Sequence, residues 1–145
     1  MASPALIRLP NAQSVFVQYD GYPTKIFKAL LETVKSGELS EETFTRHYLD
    51  LYEGESLDKT KSVIKHGNMC FLKNYDYCYT LDAGVLEFEF VSYRSMIQTR
   101  DPFVQVMTST DGSKERVRRT LNTLVSELSE YGIRVDTQAG ALSTN

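Results

Sequence analysis

The amino-acid sequence predicts a single α+β domain: an antiparallel β-sheet with a central three-stranded meander, and helices packed mainly on one face. Three observations carry this expectation. Between Met69 and Tyr93, short runs alternate apolar and polar side chains with period two and are separated by tight turns. Three other stretches repeat apolar residues at helical spacing. A length of 145 residues suits one domain that buries roughly two thirds of its unfolded surface. The domain is assigned to residues 1–136, and the small, polar residues 137–145 to a flexible C-terminal tail.

The elements follow in order. Ala5 to Leu9 and Ser14 to Tyr19 are short runs around Pro10-Asn11-Ala12-Gln13, which reads as a hairpin. After Pro23, Ile26, Phe27, Leu30, Leu31 and Val34 form a helical stripe, with Lys28, Glu32 and Lys35 on the other side. Pro23 suits a first helical turn, where its missing N–H would have no partner, and Gly37 offers a stop. A second helix is expected from Glu41 to Glu53, with Ser40 as N-cap and Phe44, His47, Tyr48 and Leu51 on one stripe. A weaker third segment, Leu57 to Lys65, ends at Gly67, with His66 as a charge complementing the helix dipole.

The meander is expected over Met69 to Lys73, Asp76 to Leu81 and Val85 to Tyr93. A two-residue turn at Ala83-Gly84 sets Leu81 opposite Leu86, Tyr79 opposite Phe88 and Tyr77 opposite Phe90. A turn at Asn74-Tyr75 sets Leu72 opposite Tyr77 and Cys70 opposite Tyr79. All eight residues then share one apolar face, with Thr80, Glu87 and Glu89 on the other. Cys70 and Cys78 point to opposite faces, so no disulfide is expected between them, which agrees with a reducing compartment.

Beyond the meander, Phe103 to Met107 reads as a strand and Thr108 to Gly112 as a turn. A long helix follows, its stripe formed by Val117, Leu121, Leu124, Val125 and Leu128. Asp111 or Ser113 is its N-cap, Gly132 its stop, and Ile133 to Val135 an edge strand.

Composition narrows the function classes. A net charge of −3, from 16 Lys plus Arg against 19 Asp plus Glu, is far from the basic excess of a nucleic-acid binder. Direct nucleic-acid binding is therefore not expected. No apolar run approaches the ~20 residues of a membrane span, and Met1-Ala2-Ser3-Pro4 lacks the features of a secretory signal, so the expected location is cytoplasmic. The two cysteines and two histidines lack zinc-type spacing, so no metal or cofactor is expected.

Three groups of residues compete as a site. The corner Gln18-Tyr19-Asp20-Gly21-Tyr22-Pro23 joins a strand to a helix and holds two tyrosines and a carboxylate together. Asp20 reads either as an acid, base or ligand for an amine, or as a helix cap and turn residue. Tyr19 and Tyr22 read either as stacking surfaces or as core residues with surface hydroxyls. The second group, Thr108 to Lys114 leading into Arg116, Arg118 and Arg119, offers hydroxyls, amides and charge to an anion, though without a Walker pattern. Its other reading is a capped helix with a solvated face. The third group, Cys70 or Cys78 with His47 or His66, lacks an orienting residue for nucleophilic catalysis.

The corner also resembles a motif of small uncharacterised proteins of bacteria and their phages, in which a strand ends in His-Trp-Asp-Gly-Tyr-Pro before a helix. Asp20, Gly21, Tyr22 and Pro23 match, while Gln18 and Tyr19 stand where histidine and tryptophan are usual. Tyr77-Cys78-Tyr79 looks similar to the later aromatic strand of those proteins. The resemblance implies a phage or mobile-element setting, hence a host cytoplasm.

The resulting expectation is a non-enzymatic binding protein that inhibits or sequesters a host defence component. Its binding residues are Tyr19, Asp20, Tyr22, Arg116 and Arg119, and its target is a host protein or an anionic, nucleotide-like ligand. Nine tyrosines and no tryptophan suit an interaction surface, and a homodimer is compatible with this reading. The competing expectation is a small hydrolase-like enzyme using Asp20 as acid or base.

Overall fold

A computed structural model describes residues 4–18, 21–51, 63–66, 77–90 and 112–137. Among them lie six strands and three helices: β1 (Ala5–Leu9), β2 (Gln13–Val17), α1 (Pro23–Ser36), α2 (Glu41–Leu51), β3 (Val63–His66), β4 (Tyr77–Asp82), β5 (Val85–Phe90), α3 (Gly112–Glu130) and β6 (Arg134–Thr137). The strands form one sheet in the order β3-β2-β1-β4-β5-β6.

Local turn chemistry builds the two hairpins. Asn11 and Ala12 take φ of 65° and 61° between β1 and β2, and Ala83 and Gly84 take 51° and 78° between β4 and β5. In the two-residue β4–β5 turn, positive φ at both central residues matches the right-handed twist of paired strands, whereas β1 and β2 are joined through the three residues 10–12. The β4–β5 register is the expected one: Tyr77 faces Phe90, Tyr79 faces Phe88 and Leu81 faces Leu86. A Cβ on Gly84 would lie 3.1 Å from the Gly132 carbonyl oxygen, a tight approach, so the turns preceding β5 and β6 touch at a position whose φ of 78° also favours glycine.

The sheet is mixed, which corrects the antiparallel expectation. β1 pairs with β4 in parallel, and β5 pairs with β6 in parallel. The central three-stranded meander fails for the same reason. The first strand proposed for it, at 69–73, lies outside the described residues, and the edge of β4 it was to occupy is held by β1. Parallel partners need a long crossover and leave no turn signature in the sequence. The connection β5–α3–β6 contains such a crossover.

Further expectations change. Val63 to His66 is a strand, paired antiparallel with β2, rather than the end of a helix; the β-branched Val63-Ile64 pair suits that ladder. His66 is therefore not a helix C-terminal charge. β6 runs to Thr137, and Ser113 lies inside α3 rather than at its cap. Asp111, the strand expected at 103–107 and the tail at 138–145 fall outside the described residues.

All three described helices cover the same sheet face. Ile7, Val15, Tyr79, Leu81, Leu86, Phe88 and Val135 join Ile26, Phe27, Leu30 and Leu31 of α1, Phe44 and Tyr48 of α2, and Leu121, Leu124 and Leu128 of α3 in one core. Phe27 meets Tyr79 edge to face with ring centroids 5.9 Å apart. Helix ends are closed as the sequence suggests. The Ser40 hydroxyl accepts from the Thr43 amide at 3.1 Å, and Gly37, at φ 82°, donates to the Val34 carbonyl. At the end of α3, Gly132 donates to Ser129 and Ile133 to Leu128, a Schellman closure that turns the chain into β6. Among the described residues no helix is long and apolar enough to cross a membrane.

Candidate functional site

The corner between β2 and α1 is formed by a break in pairing and a proline. β2 ends at Val17 and α1 begins at Pro23. Tyr19 and Asp20 lie outside the described residues. Gly21 is buried, and its carbonyl accepts a 2.7 Å hydrogen bond from the Tyr79 hydroxyl. Tyr22 is half-buried and extended, with φ −77° and ψ 160°, and its carbonyl accepts from the Lys25 and Ile26 amides to start the helix. Its side chain makes no capping hydrogen bond, and the first turn of α1 holds no acidic residue. The positive end of this 14-residue helix is therefore left without a carboxylate inside that turn.

Beside that helix start, α1 and α3 enclose an open groove of ≈ 400 Å³. Thr24 and Lys28 line it from α1; Arg119, Thr120, Thr123, Leu124 and Glu127 line it from α3. Two cations, three hydroxyls, one carboxylate and an apolar wall thus converge in a volume typical of small-ligand sites. The cations are held only loosely. Lys28 pairs with Glu32 at 3.3 Å, and the Arg119 Nε lies 3.6 Å from Glu115 with the arginine side chain 72% exposed. Exposed pairs of this kind are worth about 0–1 kcal/mol, so either cation can turn to a ligand at small cost.

The structure thus brings one sequence-predicted cation, Arg119, next to the helix that the corner starts. Arg116 is exposed and does not line the groove; its carbonyl accepts from the Thr120 hydroxyl at 3.0 Å. Arg118 is engaged with Glu115 through two hydrogen bonds. That contact, helped by the charge of Arg119, outweighs desolvation and holds the Glu115 carboxyl below its ordinary value. The hydroxyl-rich stretch 108–111 lies outside the described residues.

Lys28, Thr24, Thr123 and Glu127 escaped the sequence reading. Lys28 sits on the outer side of the α1 stripe with Glu32 four residues on, the usual pattern of a solvated helix face. A faint signal was present in the threonines of α3, Thr120 and Thr123, which sit next to the apolar stripe. What the sequence does not show is that α1 and α3 are neighbours.

The thiol candidate loses ground. Cys78 is a buried free thiol on the sheet face away from the helices. Burial pushes its pKa above the ordinary 9.0, against the opposing charge of Arg8, which keeps it protonated and unreactive at neutral pH. Cys70 lies outside the described residues, and His47 is half-buried on α2, its Nε2 without a hydrogen-bond partner among the described residues. Among the described residues no group of His, Cys, Asp and Glu is arranged to hold a metal ion.

No family model, curated protein or solved structure matches the chain.

Proposed function

We propose that this chain is a non-enzymatic binding protein, of phage or mobile-element setting, that sequesters an anionic, nucleotide-like ligand of its host in the α1–α3 groove. One observation carries the reading: Lys28 and Arg119 line the same groove as Thr24, in the first turn of α1. Charge, hydroxyl donors and the helix dipole then act together on a phosphate or similar group. Leu124 and the threonine methyls give a flat apolar body, such as a base, a surface to rest on. Tyr22, two residues before Thr24, borders the helix start, and Tyr19 and Asp20 stay in the proposed set by their place in the sequence alone. The phage setting rests on the resemblance of Asp20-Gly21-Tyr22-Pro23 to the phage and bacterial motif.

The test is calorimetry with adenosine, guanosine, cytidine and uridine 5′-monophosphates over a salt series. The wild-type protein binds at least one of them, and Lys28→Ala/Arg119→Ala weakens binding about tenfold or more and flattens its salt dependence. Arg116→Ala, outside the groove, leaves binding within about twofold. Absence of heat with all four, or an unchanged double variant, removes the groove from the account.

A further inference from the structure

Glu127 is the odd member of the groove. A carboxylate is repelled by an anionic ligand, yet it lines the same space as Lys28 and Arg119. It is not neutralised by either of them. Lys28 pairs with Glu32, and Arg119 pairs with Glu115. Among the described residues no hydrogen bond or ion pair engages Glu127. The helix geometry explains how this arises. Arg119, Thr123 and Glu127 recur every four residues along one line of α3, so the guanidinium and the carboxylate start two turns, about 12 Å, apart. Arg119 reaches back one turn to Glu115 instead.

The groove therefore presents two chemistries along its length: cations for an anion, and an acceptor-only group for hydrogen-bond donors. An inorganic phosphate or polyphosphate satisfies the first and is opposed by the second. A carboxylate covered by a ligand without donors loses its water and gains nothing, which is costly. The ligand must then carry donors at a distance from its charge. A ribose with adjacent hydroxyls supplies two, and carboxylates commonly accept from them in nucleotide sites.

We propose that Glu127 accepts hydrogen bonds from ribose hydroxyls, so that the groove selects ribonucleotides over deoxyribonucleotides. This rests on the reading of the groove as an anion site, and Glu127 is its specificity residue. Lys28 and Arg119 take the phosphate.

Calorimetry with AMP, GMP, CMP and UMP against their 2′-deoxy counterparts tests it on the whole chain. The wild-type protein binds the ribonucleotide about tenfold or more tighter than its deoxy counterpart. In Glu127→Ala the two become equal: ribonucleotide affinity falls, and deoxyribonucleotide affinity holds or rises as the like charge is removed. A folding defect would lower both together, so the divergence itself identifies the role. Equal affinities in the wild type, or a ratio unchanged by Glu127→Ala, overturn the ribose assignment and leave the anion groove standing. No binding of any ribo- or deoxyribonucleotide overturns both.

Discussion

The Tyr79 hydroxyl, on the central strand β4, donates a 2.7 Å hydrogen bond to the carbonyl of Gly21, fifty-eight residues earlier in the chain. Both partners are buried, and the bond ties the start of α1 to the middle of the sheet. The same ring packs against Phe27 of α1 and Phe88 of β5. One tyrosine thus links the middle of the sheet to the helix that carries Thr24 and Lys28 into the groove.

Removing that hydroxyl leaves a buried carbonyl without its partner. Tyr79→Phe is expected to cost about 1–3 kcal/mol, measured as a shift in the urea midpoint. Hydrogen exchange at the Thr24 to Ile26 amides should accelerate in the variant, with α2 unaffected. Uniform acceleration across the chain would mean that Tyr79 supports the fold generally rather than the corner.

Phe88 is 1% exposed and sits within 5.2–6.3 Å of Tyr79, Tyr77 and Phe27, ring centre to ring centre. Phe88→Ala removes transfer energy and opens a cavity under α1, an expected loss of about 3–5 kcal/mol in denaturant unfolding. A loss below 1 kcal/mol would contradict the β4–β5 register, because that register is what places Phe88 in the core.

These two strands show what was legible in the sequence. The positive-φ turn at Ala83-Gly84 and the alternation from Tyr77 to Phe90 are local features, and they fix the face and register of the hairpin. The stripes of α1 and α3 are local too, although Val117, counted on the buried stripe, is 40% exposed at the N-terminal end of its helix. Strand order is not local. Leu6 beside Cys78 and Val135 beside Leu86 are parallel neighbours brought together by crossovers, and no dipeptide announces them. The groove fails to show for the same reason: Lys28 and Arg119 each look like ordinary solvated charges until two helices, far apart in the chain, lie side by side.

Acid should loosen the helices at their ion pairs. Glu115 is held below its ordinary 4.5 by the Arg118 hydrogen bond, and Glu32, which burial alone would raise, is held below it by Lys28 and Lys35. The folded protein then binds fewer protons than the unfolded chain in the carboxylate range, so stability rises with pH there. The contribution is complete above pH 4.5 and disappears as pH falls through the lower folded values. Melting temperature measured from pH 7 to 3 should fall more steeply in the wild type than in Glu115→Gln. Parallel curves would show that the Glu115 pairs add nothing.

The most direct test of binding without turnover is a stoichiometric titration in which the ligand is recovered and weighed by mass spectrometry. Ribonucleoside monophosphate should saturate near one molecule per chain and return chemically unchanged after prolonged incubation, and Lys28→Ala/Arg119→Ala should abolish saturation at the same concentrations. Conversion of many ligand molecules by one protein molecule, lost in Asp20→Asn, would make the chain an enzyme and contradict the account.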